Sequence, residues 1–446
     1  MAVTNTGVNV SIYANADLAW LDNRFCALAL ANKKYENFQD QPAQLGQAMT
    51  FRLAPRQITV PGLKTTDETS VMRFQTLRAT QAANTSNAYT AQELTYTFEE
   101  YVENFDMAGA EELGTEIESD LLKNITTSVV GNDPDNTNGQ YGVRQIDSGP
   151  FRFFGNGRTS VSTFGRLAEA VSQFKQFGWA RAQLSGILPE NIQTAIVNTG
   201  ANQFTPARNN QMVKDWEVGK FSGCNWNISN LLPIHHAGVI GNEDNGADIL
   251  TVVSTNDPTG QNVTEITCTS NGALSGATVA DAAKASDMFQ FVDNVSGFEN
   301  MHTLTWVGHK ETMLPLQGLI KEDANLVSGT ITLKIRTSND VGFSWATGQN
   351  QNLNQPIFAG MKLFIIPSHQ AGVIMSGNPL YLAMPEMPSQ EPWPTANAFD
   401  PKSGMRIRHY YGATGVGSNN RRYVRDQMWG STLIPEQSMR IVIPLS

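Results

Sequence analysis

Between Ala108 and Val129 the apolar residues Leu113, Ile117, Leu121, Ile125 and Val129 recur every four positions, with Ala110 and Leu122 beside them. This period predicts one long helix with an apolar band over nearly half its surface. Glu112, Glu116 and Asp120 lie on the other side with Thr115, Ser119 and Lys123, and Glu111 and Glu112 in the first turn suit the positive end of the helix dipole. Asp106 is placed to cap the start, and Gly131-Asn132-Asp133-Pro134 stops the run. At about 1.5 Å per residue the rod is roughly 33 Å long, enough to cross a domain and to organise what packs on it.

Before this helix the pattern is of two kinds. Residues 14 to 31 carry Leu18, Leu21, Phe25, Leu28 and Ala29 at helical spacing and predict an amphipathic N-terminal helix. A polar hinge follows, so this helix either covers its own core or docks elsewhere. From Gln47 the period changes to two, with Met49, Phe51 and Leu53 on one side and Thr50 and Arg52 on the other, then Ile58 and Val60. A second extended run, Val71 to Leu77, completes a long two-stranded arm, which is marginal by itself and needs something outside it to lie on. A further strand, Leu94 to Phe98, leads into the long helix.

After the helix, a Gly- and Asn-rich loop (131 to 142) precedes a second helix over 160 to 177, with Phe164, Leu167, Val171 and Phe174 inward and Gly178 at its end. A short apolar strand, 183 to 188, then runs through Pro189 into a helix with Ile192, Ala195 and Ile196. From about Val218 to Asn350 short β-like runs alternate with Gly, Asn, Asp and Ser turns. The predicted strands are 228 to 234, 249 to 254, 263 to 268, 288 to 292, 303 to 307 and 330 to 335. The flanking pattern resumes at 357 to 367, 373 to 374 and 381 to 384, so the β-rich module reads as an insertion whose ends lie close together. Pro388, Pro392, Pro394 and Pro401 mark a wrapped connector. Met405 to Tyr411 and Ser438 to Pro444 alternate as closing strands.

Composition narrows the function. Only 16% of residues are charged, against a typical ~25%, and Asn, Gln, Thr and Ser fill the gap, as expected of surface destined for interfaces. A net charge of −10 argues against affinity for a phosphate backbone, without forbidding passive contact. The start MAVTNTGVNV carries no basic segment before an apolar core, and no apolar run approaches the ~18 residues of a membrane span. A soluble, cytosolic protein is the expectation. Cys26, Cys224 and Cys268 are too few and too far apart for a disulfide framework or a zinc site.

Candidate chemistry is sparse. Gly412, Gly415 and Gly417 follow a strand and precede Asn-Asn-Arg-Arg instead of a helix, so they read as a hairpin and not a phosphate loop. His235-His236 has no companion ligands at metal spacing and reads as structural. The sequence has no GxSxG elbow and no cysteine in a nucleophile signature. No catalytic, cofactor or metal site is expected.

The order of parts, namely N-terminal helix, two-stranded arm, long helix, second helix, strand-to-helix unit, β insertion and closing strands, resembles the major capsid proteins of tailed bacteriophages, the Hong Kong ninety-seven fold. Gly219-Lys220-Phe221-Ser222-Gly223 with Asn230-Leu231-Leu232-Pro233-Ile234-His235-His236-Ala237-Gly238 is similar to the junction in short-tailed-phage coat proteins that carry an inserted telokin-like β-barrel. Met428-Trp429-Gly430-Ser431 through Pro435 to Ile443 is similar to their C-terminal strand. The resemblance implies an α+β chain: N-terminal arm 1–42, E-loop 43–92, peripheral domain 93–180 with spine helix 108–129, axial domain 181–220 and 351–400, inserted domain 221–350, and closing peripheral strands 401–446. It implies a non-enzymatic shell subunit of the virion, assembled in the host cytoplasm into pentamers and hexamers. Its partners would be its own copies, a scaffolding protein, a portal and packaged double-stranded DNA held without sequence-specific contacts, with no membrane and no cofactor.

Two surfaces follow as intersubunit contacts. From Gln41 to Thr66 the chain has Arg52, Arg56 and Lys64 and no acid, whereas Glu99 to Asp120 has nine acids, Glu112, Glu116 and Asp120 among them, and no base. The arm of one subunit laid across the helix region of the next would relieve both blocks. The loop Gly241 to Gly246, with Glu243 and Asp244, reads either as a projecting contact or as a plain solvated turn. A nanocompartment shell of the same fold and a β-rich carbohydrate-binding or hydrolytic protein are the other readings. The latter would need clustered aromatics and paired acids on one strand face, a pattern the sequence does not display.

Overall fold

The computed structural model describes residues 25–32, 48–53, 73–79, 81–89, 107–126, 144–145, 149–178, 183–200, 219–242, 249–259, 261–292, 302–305, 307–336, 342–345, 350–389, 395–399, 405–413 and 421–445, with a few single positions between. The chain forms two compact units: residues 1–49, 77–122 and 380–432 make the first, and 50–76, 123–379 and 433–446 the second. The whole is a strand-rich α+β fold.

The first unit holds the long helix and a five-stranded sheet. The helix, α2, runs Met107–Lys123 after α1, Cys26–Leu30. Ala110, Leu113, Ile117, Leu121 and Leu122 are buried as the period of four requires. The helix is shorter than the sequence pattern, 17 residues, or about 26 Å. It stops because Thr126 turns back, with both its amide and its hydroxyl donating to the Lys123 carbonyl. Ile125 stays apolar and buried beyond the helix end, so the spacing persisted where the helix did not. Of the predicted N-terminal helix, residues 25–31 fall within the described residues and Cys26–Leu30 are helical, while Asp106, the 94–98 strand and the 131–142 loop fall outside them.

Glu118, one of the nine acids between Glu99 and Asp120, does not face solvent. It is buried, and its carboxylate accepts from Ala27 N and Leu28 N at 2.8 Å and from Cys26 Sγ at 3.3 Å. It thereby caps α1, whose own N-cap Phe25 offers no acceptor. The sheet orders Leu380–Ala383, Arg421–Leu433, Arg406–Ala413 and Thr395–Phe399, with Gln81–Tyr89 also paired to Arg421–Leu433. Arg406–Ala413 and Arg421–Leu433 form a hairpin, as the glycines suggested. The proline connector contains the strand Thr395–Phe399, which among the described residues pairs with Arg406–Ala413 at the edge of the sheet.

The second unit is built on a sheet whose central strand His369–Ser376 is antiparallel to Ser438–Pro444 on one side and to Leu184–Leu188 on the other. Phe153–Phe154 lies parallel outside Ser438–Pro444, and Cys224–Ile228 parallel outside Leu184–Leu188. The central strands are buried on both faces, so their apolar residues show no alternation, with Arg440 the charged exception. α3, Phe164–Gln176, packs Phe164, Leu167, Ala170, Val171 and Phe174 on this sheet. Thr163 caps it through the Arg166 amide at 3.3 Å, and Gly178, at φ +81°, lets the chain leave. α4, Glu190–Gly200, follows Leu184–Leu188 through Pro189 as predicted. Gly186 lies opposite Trp226, and a Cβ there would come within 2.4 Å of the indole ring.

The inserted module is a closed six-stranded barrel, ordered Leu250–Thr255, Glu265–Ser270, Thr330–Arg336, Gln317–Ile320, Met288–Phe291 and Lys362–Ile365. Phe289, Phe291 and Phe343 meet edge to face in its core, with centroids 6.0 to 6.1 Å apart. This corrects the boundaries 221–350 at both ends. Lys220–Phe221 and Cys224–Ile228 belong to the host sheet, and the barrel closes on a strand beyond Asn350. A fragment ending at 350 would lack one stave. The predicted strand 228–234 is likewise two elements, Cys224–Ile228 and Ile234–His235, broken by a turn at 229–233.

Candidate functional site at the barrel junction

The chain passes from host sheet to barrel through Ile234-His235-His236-Ala237-Gly238 and returns through Ile366-Pro367-Ser368-His369. The two crossings pair, His235 opposite His369. Ala237 N donates to Ser368 Oγ, Ser368 N to Asn242 Oδ1, and Asn242 Nδ2 to Ala237 O, each at 2.9 Å. Asn242 ends a short helix, α5, Val239–Asn242. Gly238 is required by space: a Cβ would stand 2.5 Å from Ala282 O and 2.6 Å from Ala283 Cα.

Beneath these crossings lies a buried polar network. Asp287, fully buried, accepts from His235 Nε2 at 2.7 Å through one oxygen and from Gly238 N at 3.0 Å and Lys284 N at 2.7 Å through the other. His369 is also fully buried and faces the His235 ring at 5.4 Å. Its Nδ1 lies 2.7 Å from Pro367 O, which assigns the proton to Nδ1 and turns the Nε2 lone pair towards Arg440, 3.5 Å away. Arg440 donates from Nε to Ile125 O at 3.0 Å.

Electrostatics follow from burial. Desolvation and then the Arg440 charge push His369 down to about 3, and desolvation lowers His235 despite the Asp287 hydrogen bond. Desolvation brings Arg440 down to about 9, although Asp287 favours its charge. At neutral pH both imidazoles are neutral and the guanidinium is charged. The site is built as a clamp: its polar atoms face one another and the backbone.

A second clamp joins barrel and sheet. Gln317, on a barrel strand, accepts from Phe153 N at 3.1 Å and donates to Phe153 O at 2.9 Å, so its amide acts as the next strand beside Phe153–Phe154. Its Nε2 also reaches Gln290 Oε1 at 3.1 Å, and Gln173 donates to the same Phe153 carbonyl at 3.1 Å. Gln317→Leu keeps the volume and orphans the buried Phe153 amide. It is expected to cost about 2–3 kcal/mol in urea denaturation, and a loss below about 0.5 kcal/mol would show that the clamp is not stabilising.

The residues expected to make intersubunit contacts are placed unevenly. Arg52 is exposed, its guanidinium 6.0 Å from the Phe74 ring centroid. Glu112 and Glu116 are exposed on α2, one turn apart. Asp120 is turned to its own chain, accepting from Trp429 Nε1 at 2.9 Å and Ser431 Oγ at 3.4 Å. Arg56, Lys64, Glu243 and Asp244 lie outside the described residues, while Gly241 and Asn242, expected in the projecting loop, belong to α5. Cys224 and Cys268 are buried free thiols pushed up to about 12 by desolvation, hence unreactive. Among the described residues no three His, Cys, Asp or Glu gather to hold a metal ion.

Sequence reasoning found His235 but missed Asp287, His369, Arg440 and Gln317. The signal was present in Arg440, a single charge inside the apolar run Met439-Arg440-Ile441-Val442-Ile443, because a charge there must be buried with partners.

No family model matches the chain, and no protein of curated function does. Many solved structures do, and phage capsid chains dominate the most similar ones. The chain is similar to the capsid of Ralstonia phage GP4 at 8% identity and TM-score 0.43, over 96% of this chain and 91% of that one. It is similar to a chain of Mycobacterium phage Che8 at 10% identity and TM-score 0.40, over 94% and 91%. It is similar also to a virus-like particle from Pyrococcus furiosus at 6% identity and TM-score 0.39, over 96% and 97%.

Proposed function

We propose that this chain is a shell subunit, the major capsid protein of a tailed double-stranded DNA bacteriophage, which self-assembles into an icosahedral head. The observation that carries the reading is the order of parts. Paired strands and a long helix precede a sheet built from the middle and the last strand of the chain, and the strands of a closed barrel lie between the two clamped crossings. That is the order the sequence resemblance implies. In this reading a scaffolding protein guides assembly, a portal admits DNA, the packaged DNA meets an acidic chain without sequence-specific contacts, and no reaction is assigned. Electron microscopy of the purified full chain, with and without a scaffolding partner, tests it. Closed icosahedral particles or curved sheets are expected, and monomers at every salt and protein concentration would overturn it.

Within this reading the exposed Arg52 of one subunit, with Arg56 and Lys64, faces Glu112 and Glu116 of a neighbour. Each exposed pair contributes only ~0.2–1 kcal/mol, but repetition around a shell makes assembly steep in that energy. Reversing Arg52 and Arg56 to Glu is expected to abolish assembly, or shift it in salt, while leaving the subunit's melting temperature in place. Adding Glu112→Lys and Glu116→Lys should partly restore it. If the fourfold reversal assembles no better than the arm reversal alone across a range of salt, the contact is wrong.

A further inference from the structure

The strand Gln81–Tyr89, QAANTSNAY, is nine residues long and pairs along one side, its residues opposite 421 to 429 of the long strand Arg421–Leu433. Its other side meets no strand among the described residues, and Gln81, Ala82, Asn84 and Ser86 are exposed. The strand is nevertheless held in place, since the Thr85 hydroxyl donates to Gly109 O and accepts from Arg425, both at 3.4 Å.

An open edge is a template for another chain, and folds blunt such edges with short strands, prolines or charges. Several other described sheet ends obey this rule. Phe153–Phe154 and Lys220–Phe221 are two residues each, Thr395–Phe399 sits between Pro394 and Pro401, Ala48–Leu53 carries Arg52, and the barrel has no edge. Against these described sheet ends, Gln81–Tyr89 is long, uncharged and free of proline.

The strand is also matched to itself. Laid antiparallel on a second copy about Thr85, it pairs Gln81 with Tyr89, Ala82 with Ala88, Ala83 with Asn87, Asn84 with Ser86 and Thr85 with Thr85. No like charges meet, and the residues on the face of Asn84 and Ser86 are all small. A contact of this kind is isologous, so one patch serves both copies.

We propose that Gln81–Tyr89 is an assembly edge that pairs antiparallel with the same strand of a second copy, joining two sheets into one. The inference deepens the shell reading and rests on it for its biological role.

Two double variants of the full chain test the pairing by sedimentation velocity, with thermal melts to verify that each subunit folds. Asn84→Lys with Ser86→Lys places four ammonium groups across the paired strands and should weaken self-association about tenfold or more. Asn84→Lys with Ser86→Asp sets each lysine opposite an aspartate of the other copy, in this register alone, and should return association to near the wild-type value at low salt. Wild-type association by the double-lysine chain would overturn the proposal. Equal loss in both variants would overturn self-pairing in favour of a different strand as occupant. Intact shells from the double-lysine chain would overturn the edge while leaving the shell reading standing, whereas wild-type dimers that never form shells would do the reverse.

Discussion

Asp287→Ala is expected to be among the most damaging single substitutions in the second unit, costing about 3–5 kcal/mol and lowering Tm by roughly 10 °C. The carboxylate is fully buried and receives hydrogen bonds from His235 Nε2, Gly238 N and Lys284 N. Alanine leaves all three buried donors without their acceptor, and it removes the anion that favours the charge of fully buried Arg440. Asp287→Asn should be milder, because the retained oxygen still accepts, yet its amide group faces a donor and the compensating charge is gone. Urea denaturation at pH 7 measures both. An alanine variant within about 1 kcal/mol of wild type would mean that the network does not hold the junction.

Lowering the pH from 7 to 4.5 is expected to destabilise the protein by about 5 kcal/mol through two histidines. His369 and His409 are fully buried, and desolvation pushes each down from 6.5 to about 3. The groups facing His369 are Arg440, His235 and the Pro367 carbonyl, and His409 faces the Tyr423 hydroxyl. The unfolded chain protonates these rings below about 6.5, whereas the folded chain does so only near 3. Between those values the unfolded state binds more protons, so stability is full above pH 6.5 and falls as pH falls, by about 1.4 kcal/mol per unit for each ring. His369→Gln and His409→Gln should each remove one ring's share of the slope, whatever they cost at pH 7. Urea midpoints at half-unit steps from pH 7 to 4.5 provide the measurement, and an unchanged slope in both variants would refute the assignment.

Local periodicity carried much of the architecture. The buried face of α2, the α3 helix with its Gly178 exit, the strand through Pro189 into α4, and the strands near 250, 265, 288, 330, 373 and 440 were all legible, because each buries a face whose spacing is set by the backbone repeat. Gln81–Tyr89 was not legible. An edge strand with polar residues on both faces shows no alternation, and its partner lies more than 300 residues away in sequence. The end of α2 was overread because Ile125 continues the apolar spacing after the hydrogen bonding has stopped.

By itself, then, the sequence determined which segments could fold as helix or strand and which faces they bury. Tertiary structure alone decided where the module ends, since closing a barrel is non-local and recruits Lys362–Ile365 from beyond the apparent boundary. It decided too which charges leave the surface. Glu118, Asp120, Asp287 and Arg440 are only charges in a composition count, but Glu118 caps a helix 90 residues distant, Asp120 holds Trp429, and Asp287 and Arg440 meet the two crossings of the barrel at His235 and His369. Desolvating a charge is tolerable only where particular donors and acceptors converge on it, and convergence is a property of chain segments meeting in space.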